Sequence, residues 1–279
     1  MEPVPLKRLS PRVYAWVGAG GGTNAGVIIG EHGVAVVDAL LTPTAGRNLR
    51  ERIRAVTPLP VRFLVNTHYH GDHTFGNQAF AAEAVIVGHR RAREGLLRFG
   101  AEQLDFFRRR QPLLAAEFDR VRLTPPDLTV DPGCTLHLGG LEVELHYVGP
   151  AHTDGDLVVW VPGEGVLFAG DVVFNGWFPT ASEADIDGWV RALGELRRYS
   201  ARIVVPGHGP PAGPDILATL QEYFETVRAG VAAARARGLS VEEAVAAVGV
   251  GGLVEWQGRD RHAALVRRLW EKLPTSRRG

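Results

Sequence analysis

His68, His70, Asp72 and His73 fall within the short segment VNTHYHGDHTFGN, residues 65–77. Imidazole nitrogens and carboxylate oxygens are Lewis bases, and the chain has only ten histidines in 279 residues to distribute. Their gathering at one turn points to a bound cation. Residues two apart on an extended segment project to the same side, which lets His68 and His70 grip one ion. Gly71 then permits a sharp turn that swings Asp72 and His73 toward a neighbouring point. Two adjacent ions are the natural occupants. Zinc is typical of such donors, and iron or manganese also suit them. The competing reading is a solvated, histidine-rich loop.

Such a loop needs a rigid element behind it, and the run VRFLV at 61–65 reads as a short buried strand that ends at the cluster. Open α/β sheets build their sites just beyond strand ends. Upstream, Arg12 to Val17 reads as a strand, followed by the glycine-rich GAGGGTNAG, a flexible loop able to flap over the site. Two strands then flank a turn at Glu31-His32-Gly33. Thr42 as cap and Pro43 in the first turn start a helix to about Val56.

Downstream, a helix begins near Thr74, a strand ends at Gly88, and Arg90 to about Asp119 reads as an Arg-rich helix. Strands follow in TLHLG, LEVELHYVG, DLVVWVP and GVLFAGD, then a helix from about Asp185 to Tyr199 and the strand RIVVPGHG. The tail from Pro214 is mostly helical, with a capping box at Ser240 and Glu243. GVIIGEHGVAVVD and LVVWVPGEGVLFAGD echo each other and end in Asp38 and Asp171. Two such halves suggest two sheets packed face to face with helices outside.

Three further positions carry candidate donors: His152 in GPAHTDGD, Asp171 in LFAGD and His208 in VVPGHGP. Taken singly, each has an ordinary reading: a loop histidine, a turn aspartate, and a polar residue between turn-forming Pro206 and Gly209. His32, His89, His137, His146 and His262 have no such company and read as surface or core residues.

The pattern HYHGDH after a strand, followed in order by these three separated residues, resembles the metallo-β-lactamase superfamily over nearly the whole chain. Asp38 fits that family's early structural aspartate. The resemblance implies an α/β fold, a four-layer αββα sandwich of two mixed β-sheets with flanking helices. It also implies a binuclear site. His68, His70 and His152 would hold one ion, Asp72, His73 and His208 a second, and Asp171 would bridge them. Two Zn²⁺ would sandwich a water, lower its pKa toward neutrality and supply hydroxide, with Asp72 orienting that nucleophile. Aspartate at 171, where some β-lactamases carry cysteine, is similar to the glyoxalase II-like ligand set.

The expected activity is therefore hydrolysis of a carboxylic ester, thioester, lactone or β-lactam. The alternatives are a phosphodiesterase or a mononuclear-iron oxidoreductase resembling persulfide dioxygenases. Trp177 and Phe178, just after Asp171, offer an apolar substrate wall or core packing. The segment 90–122 reads as a helical insertion, a lid lined by Leu96, Leu97, Phe99, Phe106 and Phe107 that would favour an apolar or acyl substrate. An exposed apolar face there could equally join two copies in a homodimer.

Composition bounds the partners. Basic and acidic residues balance at 31 each, so nothing global attracts the chain to nucleic acid or anionic membranes, and a small-molecule substrate is expected. Lys7 and Lys272 are the only lysines. The lone Cys134 rules out an internal disulfide framework and a thiolate-rich metal site. No run approaches the ~20 apolar residues of a membrane span, and the opening MEPVPLKRLSPRVYAW lacks the apolar block of a secretory signal. A single cytoplasmic domain over 1–279 is expected, with a mostly helical part from about 214.

Overall fold

The β-branched runs form two sheets whose inner faces are apolar. In the computed structural model, which describes residues 5–272, the first half contains β1 (Lys7–Arg8), β2 (Val13–Trp16), β3 (Ala25–Ile29), β4 (Val34–Val37), α1 (Pro43–Val56), β5 (Val61–Asn66), α2 (Gly71–Thr74) and β6 (Val85–His89). Next come α3 (Arg90–Arg110), α4 (Ala115–Phe118), β7 (Leu128–Val130), β8 (Gly133–His137), β9 (Glu142–Tyr147) and β10 (Leu157–Val161). The last part is β11 (Val166–Phe174), α5 (Ile186–Leu196), β12 (Ile203–His208), α6 (Asp215–Ala236), α7 (Val241–Ala247) and α8 (Arg259–Lys272).

Strands β1 to β7 form one seven-stranded sheet in sequence order, and a five-stranded sheet runs β12-β11-β10-β9-β8. Both are mixed: β4, β5, β6 and β7 pair in parallel, as do β11 and β12, and the other pairs are antiparallel. The sheets meet through Ile28, Val37, Val65, Leu145, Val159 and Phe168. Leu49 and Ile53 of α1 cover the outside of the first sheet. Trp189 of α5, Leu217 and Phe224 of α6 and Leu265 of α8 cover the second. The fold is thus a four-layer αββα sandwich. With both faces covered, β11 is buried along its whole length, as strands inside layered α/β proteins are.

The internal echo has a structural counterpart. The units β3-β4-α1-β5 and β10-β11-α5-β12 are each an antiparallel hairpin, a helix and a strand that returns parallel to the hairpin's second strand. Asp38 follows β4 and Asp171 lies in β11; His68 follows β5 and His208 ends β12. Each half thereby delivers an aspartate and a histidine to the same edge of its sheet.

Helix ends follow local chemistry. Thr42 accepts from the Ala45 amide at the start of α1, and both arms of the capping box at Ser240 and Glu243 are made. The expected helix through Asp119 instead stops at Arg110. Pro112 lacks an N–H and disfavours helical geometry in the residue before it, and Gln111 accordingly sits at φ −128°, ψ 66°. The helix expected near Thr74 is a single turn at Gly71–Thr74 followed by a short 3₁₀ turn at Asn77–Ala79. Strands β1 and β7 are too short to leave a sequence pattern. Within the helical stretch expected from about 214 to 279, residues 273–279 lie outside the described residues. Among the described residues no helix is long and apolar enough to cross a membrane.

Candidate metal centre

Loops at one edge of the two sheets bring the candidate donors together. His68 and His70 leave the end of β5, Asp72 and His73 sit in α2, His152 lies between β9 and β10, and Asp171 and His208 come from β11 and β12. Donor atoms of His68, His70, His152 and Asp171 all lie within 4.8 Å of one another, as do those of Asp72, His73 and His208. Asp171 stands between the groups. Its Oδ1 is 3.1 Å from His73 Nε2, and its Oδ2 is 3.4 Å from both His152 Nε2 and His208 Nε2. Asp72 Oδ2 is 3.2 Å from His208 Nε2 and 3.7 Å from His73 Nε2.

Each imidazole is oriented from behind. His152 Nδ1 donates to the Thr180 carbonyl at 3.0 Å and His208 Nδ1 to the Gly21 carbonyl at 2.8 Å. Because a carbonyl only accepts, Nδ1 must carry a proton, so it is Nε2 that faces the centre and offers its lone pair in the neutral ring. His73 Nδ1 lies 2.8 Å from Asp38 Oδ2. The Thr67 hydroxyl donates to the same Asp38 oxygen at 2.8 Å, so its own lone pair is available to His68 Nδ1 at 3.0 Å. One buried carboxylate therefore sets the tautomers of two histidines, one in each donor group. His70 is reversed: its Nδ1 faces His152 Nε2 at 2.9 Å, and its Nε2 points toward Glu183 at 3.8 Å.

The donors fit a cation. His68 Nε2 is buried without a hydrogen-bond partner, and the buried His73 Nε2 and Asp171 Oδ1 have only each other at 3.1 Å; leaving a buried polar atom unpaired costs about 1–3 kcal/mol. Clustered, inward-facing orphans of this kind are what a metal ion satisfies.

In the metal-free cluster the charges divide. Burial would lower His73 and His208, yet the carboxylates override it: Asp171, Asp72 and Asp38 raise His73, and Asp171 and Asp72 raise His208 to about 10. Burial would raise Asp72 and Asp171, but histidines outweigh it, chiefly His73 for Asp72 and His208 for Asp171, and both carboxyls fall below the usual range. Burial, reinforced by neighbouring imidazoles, lowers His68, and with His152 it brings His70 down to about 3. The two raised imidazoles, His73 and His208, thus face the two lowered carboxyls, Asp72 and Asp171.

The glycine-rich loop is tied to this centre and is not a free flap. Besides the Gly21 contact, the Asn24 amide donates to the Gly207 carbonyl at 2.8 Å. The Asn24 side chain donates to the Pro206 and Gly209 carbonyls, each at 2.7 Å. Thr23 Oγ1 donates to Asp72 Oδ2 at 2.9 Å. Nothing in the sequence marked Thr23 or Asn24, since their partners lie far along the chain. Asp156, four positions after His152, was also missed. It accepts from the amide and hydroxyl of Thr153 at 2.9 and 2.6 Å, and burial raises it to about 7 despite those bonds. Its Thr-x-x-Asp spacing is a local turn signal that could have found it.

Close backbone approach adds a requirement at Gly207. A Cβ there would overlap Asp171 Oδ1. Gly207→Ala is therefore expected to displace the Asp171 carboxylate and abolish metal binding; elemental analysis of the purified variant checks this.

A cavity of about 960 Å³ opens over the cluster, with His70, Asp72, His152, Asp171 and His208 on its wall. Phe178 does not reach it. That ring is fully buried in the core among Tyr223, Trp256 and His262, because the chain turns back toward α6 and α8 after β11. Trp177 instead packs against Gly21, behind the glycine-rich loop. Of the expected lid residues, Leu96 is buried in the core and Leu97 is exposed, whereas Phe99, Phe106 and Phe107 line the cavity.

An αββα sandwich with histidine and aspartate donors at one edge of its paired sheets, grouped so that they could hold metal ions, defines a class of metalloprotein. The profile of the Metallo-beta-lactamase superfamily matches residues 18–208, and this chain belongs to that superfamily. It is 25% identical over 228 residues to the metallo-beta-lactamase type 2 of Bacteroides fragilis, covering 77% of this chain and 83% of that protein. It is 30% identical over 187 residues to the 2,4-dinitroanisole O-demethylase subunit alpha of Nocardioides sp. (strain JS1661), covering 65% of this chain and 51% of that one. Among solved structures, the stereoselective inverting sec-alkylsulfatase Pisa1 from Pseudomonas sp. superimposes with a TM-score of 0.75 at 17% identity, over 98% of this chain and 50% of that one.

Proposed function

We propose that this chain is a hydrolase that binds two zinc ions and cleaves a carboxylic ester, thioester, lactone or β-lactam, working as one domain on a small molecule. The observation that carries this reading is the pair of donor groups joined at Asp171, with their unpaired atoms turned inward. His68, His70 and His152 would hold one ion, Asp72, His73 and His208 the other, and Asp171 both. When bound, such ions supply Lewis acidity toward the scissile group and a strong nucleophile from water at neutral pH.

The chain's own residues do the rest. Thr23 occupies Asp72 Oδ2, which leaves Oδ1 to orient attacking water and take its proton. The Nδ1 contacts of four histidines hold their lone pairs in place, so no ligand reorients during a turnover. The loops around the cavity limit water around the scissile bond. The relatives are named for reactions at several bond types, so they do not choose among substrates. The complete Asp72, His73 and His208 group favours two ions over the single iron of an oxidoreductase.

The test combines elemental analysis of purified protein with turnover of nitrocefin, homoserine lactones, glutathione thioesters and aryl phosphodiesters, before and after chelation. Zinc near two equivalents and chelator-sensitive acyl cleavage are expected; one redox-active iron, or full activity without metal, would overturn the proposal.

A calorimetric consequence follows from the raised His73 and His208. Their protons must leave before Nε2 can bind, so zinc uptake by chelated protein at pH 7 is expected to release protons, and affinity should fall as pH drops. Titration in two buffers of different ionisation enthalpy reads the release directly.

A further inference from the structure

We propose that the wall formed by α3 is a channel for an extended, unbranched apolar acyl chain, so the substrate of this site is an amphiphilic ester or thioester and not a compact ring. The inference rests on the hydrolase reading above and names the substrate class it left open.

Phe99, Glu102, Gln103, Phe106, Phe107 and Arg110 of α3 all line the cavity, with the three phenylalanines as its apolar part. Their spacing places them on one face of a helix. At ~1.5 Å per residue, Phe99 to Arg110 extends ~16 Å, longer than a small bicyclic ring needs. The inner end is fixed by contact: the Phe99 ring is 5.9 Å from Tyr69, whose ring is 4.9 Å from His70. The outer end reaches solvent, since Phe106 is 49% exposed and Arg110 is exposed.

Trp16, Leu40 and Leu41 add further apolar lining. Leu40 is held at φ 69°, a conformation that favours glycine, where glycine would give the wall no side chain. Other cavity-lining residues are polar: Thr180, Ser182, Glu183, Asp260 and Arg261. Apolar and polar linings over one donor cluster match a substrate with a hydrocarbon chain on one side of the scissile bond and a hydrated leaving group on the other.

The experiment measures kcat/KM of zinc-loaded protein for p-nitrophenyl acetate, butyrate, octanoate and dodecanoate. In parallel, free fatty acids of the same lengths displace a fluorescent fatty acid from chelated protein, which needs no turnover. A rise of at least ~10-fold from acetate to octanoate is expected, from the transfer energy of the added methylenes. The same order is expected in displacement. Phe106→Ser should cut the octanoate-to-acetate ratio ~10-fold and Phe106→Leu should restore most of it, both with circular dichroism like that of the parent.

A flat series with active enzyme, or a Phe106→Ser ratio equal to the parent's, overturns the channel. If no ester is cleaved but long acids still displace the probe in a Phe106-dependent way, the hydrolase reading fails and the channel stands. Absence of both turnover and displacement overturns the channel as well.

Discussion

Asp72→Asn is expected to leave the chain folded and to lower kcat by a factor on the order of 10² to 10⁴, the range general-base groups contribute. Asparagine keeps the volume and can still accept the Thr23 hydroxyl bond now made at 2.9 Å. It loses the charge that faces His73 and His208 and the oxygen basic enough to take a proton from water. Under the proposed two-ion reading, binding at the Asp72, His73 and His208 group should therefore weaken while binding at the other is kept. Thermal melting with chelator present isolates the fold, single-turnover kinetics isolate the chemical step, and stepwise zinc titration isolates the second site. Undiminished turnover would remove Asp72 from the mechanism.

Asp38 is the second position where one substitution should have a large effect, although it is not itself a proposed ligand. Its carboxylate accepts from the Thr67 amide and hydroxyl, both at 2.8 Å, and pairs with His73 Nδ1 at 2.8 Å. The residue is 2% exposed and adopts φ 61°, a conformation aspartate tolerates better than most residues. Asp38→Ala leaves these groups without an acceptor, at about 1–3 kcal/mol for each buried one, and frees both His68 and His73 to rotate. Loss of such an orienting partner costs roughly 10–100-fold in metal affinity, here in both donor groups at once.

Asp38→Asn separates the two effects. An amide can still accept from Thr67, so stability should be largely kept. If its NH₂ faces His73 Nδ1, the ring proton is driven to Nε2, and that atom can no longer bind a cation. Zinc competition against a chromophoric chelator, set beside chemical denaturation of the chelated protein, reads both quantities. Parent-like zinc affinity in Asp38→Asn would sink the tautomer argument.

How far these residues were legible in advance depends on the range of the interaction that fixes each one. The donors of HYHGDH lie on one turn, where spacing alone fixes their relative directions. Thr42, Ser240 and Glu243 act on backbone within three residues and were equally readable, as was the strand that carries the cluster. The break at Gln111 was also written locally, in Pro112, but the helix-forming residues on both sides, Arg-rich before it and LLAAEF after it, masked it. Thr23, Asn24 and Glu183 left no trace, because each acquires its role from a partner far away in the chain.

The amino-acid sequence by itself determined the chemical identity of the donors, the order in which they occur and the strand-and-helix grammar that carries them, because these depend on side-chain type and on contacts within a few residues. Only the tertiary structure decided that His68 and His208 share one centre, which imidazole nitrogen faces it, that the glycine-rich loop anchors His208, and that Phe178 is buried core while Phe106 faces the cavity. A tautomer is set by whichever acceptor lies behind the ring, and a side chain's burial by whichever layer closes over it. Both are supplied by segments remote in sequence, and packing the two sheets together brings those segments into contact.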